Sequence, residues 1–172
     1  MWLACLLPFL LQAAAIGVDE IVFHRKRGLP RWERIGHPLD TLTVVLCMGY
    51  ALFVPYSKSA LLPYAGLAIF SCLMVTKDEF VHKEHCPGSE HWLHALLFLL
   101  HPVVLASAGL IWPASQGIET MPYFASLIDH ADALRVSLSV QFAAMLLFMS
   151  YQIVYWNFLW KKTESTTPFT KR

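Results

Sequence analysis

The chain has 172 residues, of which 56% are hydrophobic, 13% aromatic and 15% charged, with a formal net charge of +1. Its mean hydropathy of +0.50 is too high for an ordinary soluble domain of this length, and the near-balanced charge argues against a nucleic-acid partner. The expected fold class is an all-α integral membrane protein.

Apolar runs close to the roughly 20 residues needed to cross a bilayer lie at about residues 2–23, 39–56, 59–76, 92–112 and 136–160. They predict five transmembrane helices in one polytopic domain, residues 1–160, followed by a short polar tail, residues 161–172. The first run has small residues in "LQAAAIG" but no Lys or Arg ahead of it and no clear A-x-A site, so it reads as a span rather than a cleaved signal. Cys5, Cys47, Cys72 and Cys86 show no close pairing, which argues against a disulfide framework.

Lys and Arg are unevenly distributed between the loops. Arg25, Lys26, Arg27, Arg31 and Arg34 separate the first two spans, Lys77 and Lys83 the third and fourth, and Lys161, Lys162, Lys171 and Arg172 fill the tail. The opposite side carries only Lys58 and Arg135. The positive-inside rule then puts the N-terminus outside and the C-terminus in the cytoplasm, with the basic residues reading as topology signals and lipid-headgroup contacts.

The two cytoplasmic loops share a grammar. "DEIVFHRKRGLPRWERIGH" runs from Asp19 to His37 and "DEFVHKEHCPGSEHWLH" from Asp78 to His94. Each begins Asp-Glu, reaches a His three or four residues after that Glu, turns at a Pro and continues P-x-x-E-x-x-x-H into the next span. Pro30, Glu33 and His37 match Pro87, Glu90 and His94 at one constant offset. This predicts two pseudo-symmetric helical hairpins, about residues 2–56 and 59–112, forming a four-helix bundle with an additional helix at 136–160. Pro30 and Pro87 suit helix starts. Glu20 and His24, Glu33 and His37, and Glu90 and His94 fall at i, i+4, and Glu79 and His82 at i, i+3, so each of four helix ends presents one Glu and one His at the same depth.

Four carboxylates with four imidazoles form a donor set suited to two divalent metals, because carboxylates bridge and offset charge while imidazoles terminate. The expected ligands are therefore Glu20, His24, Glu33, His37, Glu79, His82, Glu90 and His94, with two ions, iron preferred and zinc the alternative. Asp19, Asp78, Asp40, His85, His91 and His101 are supporting or alternate positions: Asp19 and Asp78 precede the Glu ligands, while Asp40 and His101 extend the polar face deeper. The set resembles in kind that of soluble di-iron carboxylate bundles, which use four Glu and two His. It also resembles that of integral-membrane desaturases and hydroxylases without reproducing their His boxes, the nearest spacings being His82/His85 and His91/His94. Neither likeness assigns the chain to a family.

The competing structural reading is that these groups sit in the headgroup layer, where charge costs little, and that Glu33 and Glu90 merely favour helix N-termini. Against it, seven of the eight histidines lie in or just beyond the two matched segments; His130 is the exception. Tyr151, Tyr155 and Trp156 read as an aromatic belt. The segment "PASQGIETMPYFASLIDHADAL" reads as an outer loop with a short interfacial helix.

A metal site in the headgroup layer reaches substrates that stay in the bilayer. The expected function is a di-iron oxidoreductase of hydroxylase or desaturase type, acting on a lipid-like or quinone substrate among membrane lipids and served by an electron-donor protein. A zinc-dependent membrane hydrolase of lipid or peptide is the first alternative, weakened by the absence of H-E-x-x-H. A metal or proton transporter, or a metal sensor, is the second.

Overall fold

The computed structural model describes residues 2–78, 86–120 and 122–161. Helix α1 spans Trp2–Arg27, α2 Arg31–Phe53, α3 Lys58–Met74 with a 3-10 turn at Val75–Asp78, α4 Gly88–Ser115, and α5 Ala131–Val154 with a π turn at Tyr155–Leu159. No strand occurs among the described residues. Five helical stretches are long and apolar enough to cross a membrane, as the apolar runs predict. The second and fourth begin well before their apolar runs, because the polar segments after Pro30 and Pro87 are already helical.

Those two starts are built alike. Pro30 (φ −64°, ψ 159°) and Pro87 (φ −69°, ψ 156°) stand at the N-cap, one position before the first helical turn where the sequence placed them. Glu33 and Glu90 each occupy the third helical position, near the positive end of the helix dipole. Helix α1 ends at Gly28, whose φ of +73° favours glycine; a Cβ there would lie 2.5 Å from Cζ2 of Trp160. Arg34 in turn stacks on Trp160 at 4.5 Å, so the end of α5 covers the α1–α2 turn. Pro38, inside α2, leaves the Arg34 carbonyl without its helical donor, and Asn157 Nδ2 donates to that oxygen at 3.4 Å.

Packing sorts the molecule along its length. Away from the matched loops the core is apolar: Val44, Met48, Ala51, Leu105, Ile111 and Leu138 are all buried. There Trp112 is fully buried, ringed by Tyr50, Tyr56 and Tyr64 at 5.1–5.6 Å, and donates through Nε1 to the Val54 carbonyl at 3.0 Å. Gln116 ties down the α2–α3 turn by donating to Val54 O (2.9 Å) and accepting from Tyr56 N (2.7 Å). Gly109 lets α3 and α4 approach closely, since a Cβ would stand 2.8 Å from the Tyr64 ring. The segment Pro122–His130 is 3-10 helical, and its Leu127 is fully buried in this core. The outward faces are apolar, with Leu62 at 78% and Leu147 at 72% exposure. Helix α5 packs on both α2 and α4, so it is structurally integral to the bundle end described next.

Candidate metal centre

At the loop end, the polar side chains turn inward. Asp19, Glu20, His24, Glu33, Glu90 and His94 are all buried, Glu33 and Glu90 completely. The π turn at Asp19–His24 explains how α1 contributes three of them. In an ordinary α-helix, residues five apart stand about 140° from one another at about 100° per residue. The wider i, i+5 turn brings Asp19 onto the same face as His24, and such insertions are frequent at functional sites.

Two donor groups result. Asp19, His24, Glu90 and His94 each offer an atom within 4.8 Å of the others, and so do His24, Glu33 and His37. Two ligands of one ion at about 2.1 Å each stand at most about 4.2 Å apart, so small side-chain adjustments close either group on a metal. Within the first group, Asp19 Oδ2 lies 3.2 Å from His24 Nε2 and Asp19 Oδ1 3.3 Å from His94 Nε2, while Glu90 Oε1 is 3.8 Å from His24 Nε2. In the second, His37 Nε2 is 3.8 Å from Glu33 Oε2, and the His24 and His37 rings are 4.9 Å apart. This buried set of Asp, His, Glu and His could hold a metal ion.

Glu20 lies outside both groups but behind one of them. Its Oε2 is 3.4 Å from His24 Nδ1, leaving Nε2 directed at Asp19 and Glu90. A carboxylate behind a ligating imidazole fixes its tautomer and raises its basicity. Glu20 is itself held by the Tyr151 hydroxyl and by Trp156 Nε1, which donates to Oε1 at 3.2 Å. Trp156 is only 1% exposed, so it and Tyr151 are site-supporting groups rather than the expected aromatic belt.

Arg27 has a second role that topology alone does not suggest. Its guanidinium donates to Glu33 Oε1 (3.1 Å), Glu33 Oε2 (2.9 Å) and Glu90 Oε1 (2.8 Å), bridging the two carboxylates that the loop match pairs. Glu90 Oε2 is buried and has no hydrogen-bond partner among the described residues. Among the described residues, four buried carboxylates, Asp19, Glu20, Glu33 and Glu90, thus cluster with the half-buried Arg27 guanidinium, which bonds Glu33 and Glu90. Such a cluster is relieved by protons on the imidazoles or the carboxylates, or by a bound cation.

The remaining expected residues fall as follows. Asp40 pairs with Lys77 at 2.5 Å, and His101 bonds Ser71 Oγ at 2.9 Å, both beside a cavity below the donor groups. His91 is half-buried and belongs to neither group. Asp78 ends the 3-10 turn after α3, and Glu79, His82 and His85 lie outside the described residues. Cys86 is half-buried, and burial pushes its thiol up to about 12.

The cavity has a volume of about 130 Å³. Asp19, Glu20, His24, His37 and His94 line its upper part, and Gln12, Asp40, Thr41, His101 and Gln152 are its other polar neighbours. Its apolar wall comes from Ile16, Val44, Leu97, Phe98, Met145 and Phe148. Gln12 and Gln152 carry no motif; only their position inside apolar runs could have flagged them.

No family model, curated protein or solved structure matches this chain.

Proposed function

We propose that this chain is a multi-pass membrane protein with its basic loops in the cytoplasm, and that it oxidises a lipid-like substrate at a metal centre on Asp19, His24, Glu90 and His94. The observation that carries this reading is the convergence of those four buried donors, three of which, Asp19, His24 and His94, line a largely apolar cavity. Two imidazoles with carboxylates belong to the repertoire of non-haem iron, which makes ferrous iron the preferred occupant. The matching helix starts at Pro30 and Pro87 support the two-hairpin, pseudo-two-fold arrangement of α1 to α4, to which α5 adds Tyr151, Gln152 and Trp156.

One ion is favoured over two. His24 belongs to both donor groups but turns Nδ1 toward Glu20, so only Nε2 is available for a metal. Arg27 also neutralises part of the charge that a second ion would offset on Glu33 and Glu90.

Each residue then has a physical task. Glu20 orients His24, Tyr151 and Trp156 fix Glu20, and Arg27 holds Glu90 so that one carboxylate oxygen remains for the ion. Phe98, Met145 and Phe148 shield the cavity from water and seat an apolar substrate. Bound iron would supply the reduction of dioxygen; in hydroxylation, one oxygen atom enters a C–H bond and the other leaves as water, with two electrons and two protons from a donor protein.

The test is oxygen uptake by iron-loaded protein in liposomes, given a chemical electron donor and candidate lipid or quinol substrates. Substrate-dependent uptake that disappears in Asp19→Asn supports the proposal. Uptake equal to that of empty liposomes across the substrate panel contradicts it.

A further inference from the structure

The floor of the cavity has a defined hydrogen-bonding polarity. Thr43 Oγ1 lies 2.7 Å from the Asp40 carbonyl, which can only accept, so the Thr43 proton is committed there. Thr43 must then accept from Ser71, 2.7 Å away, and Ser71 must accept from His101 Nε2 at 2.9 Å. The direction of this three-link chain makes Nε2 the protonated nitrogen of the neutral His101 ring and leaves Nδ1 as an acceptor. Ser71 is fully buried, and Thr43 and His101 are 5% exposed, so no solvent competes for these bonds.

A second acceptor shares this level. Gln12 is 8% exposed, lines the cavity, and its Oε1 has no hydrogen-bond partner among the described residues. A buried amide oxygen left without a donor is costly and marks a place where a ligand donor fits. Gln12 is seven residues before Asp19 on α1, and His101 is seven after His94 on α4. At 1.5 Å per residue both stand about 10 Å below the donor groups. The floor therefore offers the neutral acceptors Gln12 Oε1 and His101 Nδ1, the donor groups above offer carboxylates and imidazoles, and the rest of the lining is mostly aliphatic and aromatic, with Asp40 and Thr41 beside it.

We propose that the cavity binds an aromatic ring carrying hydroxyl groups at opposite ends, of the hydroquinone class, with one hydroxyl donating to Gln12 Oε1 beside the His101 acceptor and the other directed at the Asp19–His94 donor set. The volume agrees, since a cavity of about 150 Å³ is known to accept a benzene ring. A carboxylate or an ammonium ion is disfavoured among these neutral groups, because the nearby Asp40 carboxylate is already paired with Lys77. This inference deepens the proposed function by naming its substrate class, and relies on that reading only for the direction of the upper hydroxyl.

The experiment is anaerobic calorimetric titration of the detergent-purified full chain with a short-alkyl hydroquinone and with its dimethyl ether, which keeps the ring but cannot donate. Chelator-treated and ferrous-loaded protein are titrated in parallel. The hydroquinone is expected to bind at least about tenfold more tightly than the ether in both forms, the size of one buried hydrogen bond. Gln12→Leu should bring that ratio toward one without weakening the ether. Ser71→Ala, which frees His101 to move its proton to Nδ1, should lower the ratio as well. Equal affinities for the two compounds in the parent protein, or a preference that survives both substitutions, would overturn the assignment. A preference seen in protein that binds no iron would uphold the ring site while removing the metal reading.

Discussion

Arg27 offers the sharpest perturbation. Its guanidinium makes three hydrogen bonds of 2.8–3.1 Å to two carboxylates whose side chains are 0% and 1% exposed, and it is itself only 18% exposed. Arg27→Met keeps much of the side-chain volume but removes the guanidinium that bridges the buried Glu33 and Glu90. Removing one partner of a buried ion pair costs about 3–5 kcal/mol, because the stranded charge loses compensation while staying out of water. For a chain of this length, about 2–4 °C of melting temperature per kcal/mol gives a fall of about 6–20 °C. The assay is thermal unfolding of metal-free protein in detergent, followed by tryptophan fluorescence and helical dichroism. Arg27→Met combined with Glu33→Gln and Glu90→Gln should recover most of the loss, since two amides replace two stranded charges. A divalent cation should also stabilise Arg27→Met more than the parent, because it takes over part of the missing charge. If Arg27→Met alone melts within about 2 °C of the parent, the charge accounting that motivates the metal centre is wrong.

Four further outcomes follow from the same geometry. Glu20→Gln should weaken divalent-metal affinity about 10–100-fold while leaving the chain folded, as expected of a group that orients a ligand, and Trp156→Phe should act in the same direction more weakly; equilibrium metal titration reads both. Metal affinity should be higher at about pH 8 than at about pH 5.5, because an imidazole ligates a metal only in its neutral form, and competitive chelator titration at the two pH values would register this. Alkylation of Cys86 should be slow at pH 8 and keep rising with pH beyond 10, because its half-buried thiol is pushed up to about 12; a plateau near pH 9, read by mass spectrometry of the modified peptide, would contradict that placement. Gly28→Ala should lower stability by about 1–3 kcal/mol through a strained positive φ and displacement of Trp160, seen as a lower melting temperature and a changed Trp160 emission.

Much of this arrangement was readable in the residues. Apolar composition and run length alone located five apolar helices, and the constant offset between Pro30, Glu33, His37 and Pro87, Glu90, His94 marked the helix starts that bury both glutamates. What pairing rules at i, i+4 could not supply was the π turn that brings Asp19 alongside His24, since a local change of helical winding leaves no periodic signature. Arg27 read as one of five basic residues ordering the topology. Its burial between Glu33 and Glu90 depends on two helices meeting, although a matched pair of inward carboxylates already called for a counter-charge. Tyr151 and Trp156 were legible as interfacial aromatics, and only the packing of α5 on α2 and α4 turns them toward Glu20. Gln12 and Gln152 escaped notice because a single amide within an apolar run carries no spacing to interpret.

The most direct test of the central claim is elemental analysis of tag-free, detergent-purified protein alongside Asp19→Asn and His94→Ala, with folding checked by helical dichroism. The account predicts one divalent ion per parent chain, iron when iron is supplied, and its loss from both variants while the helices remain. Full metal content in both variants, or a parent chain that retains no divalent ion under any loading condition, would contradict it.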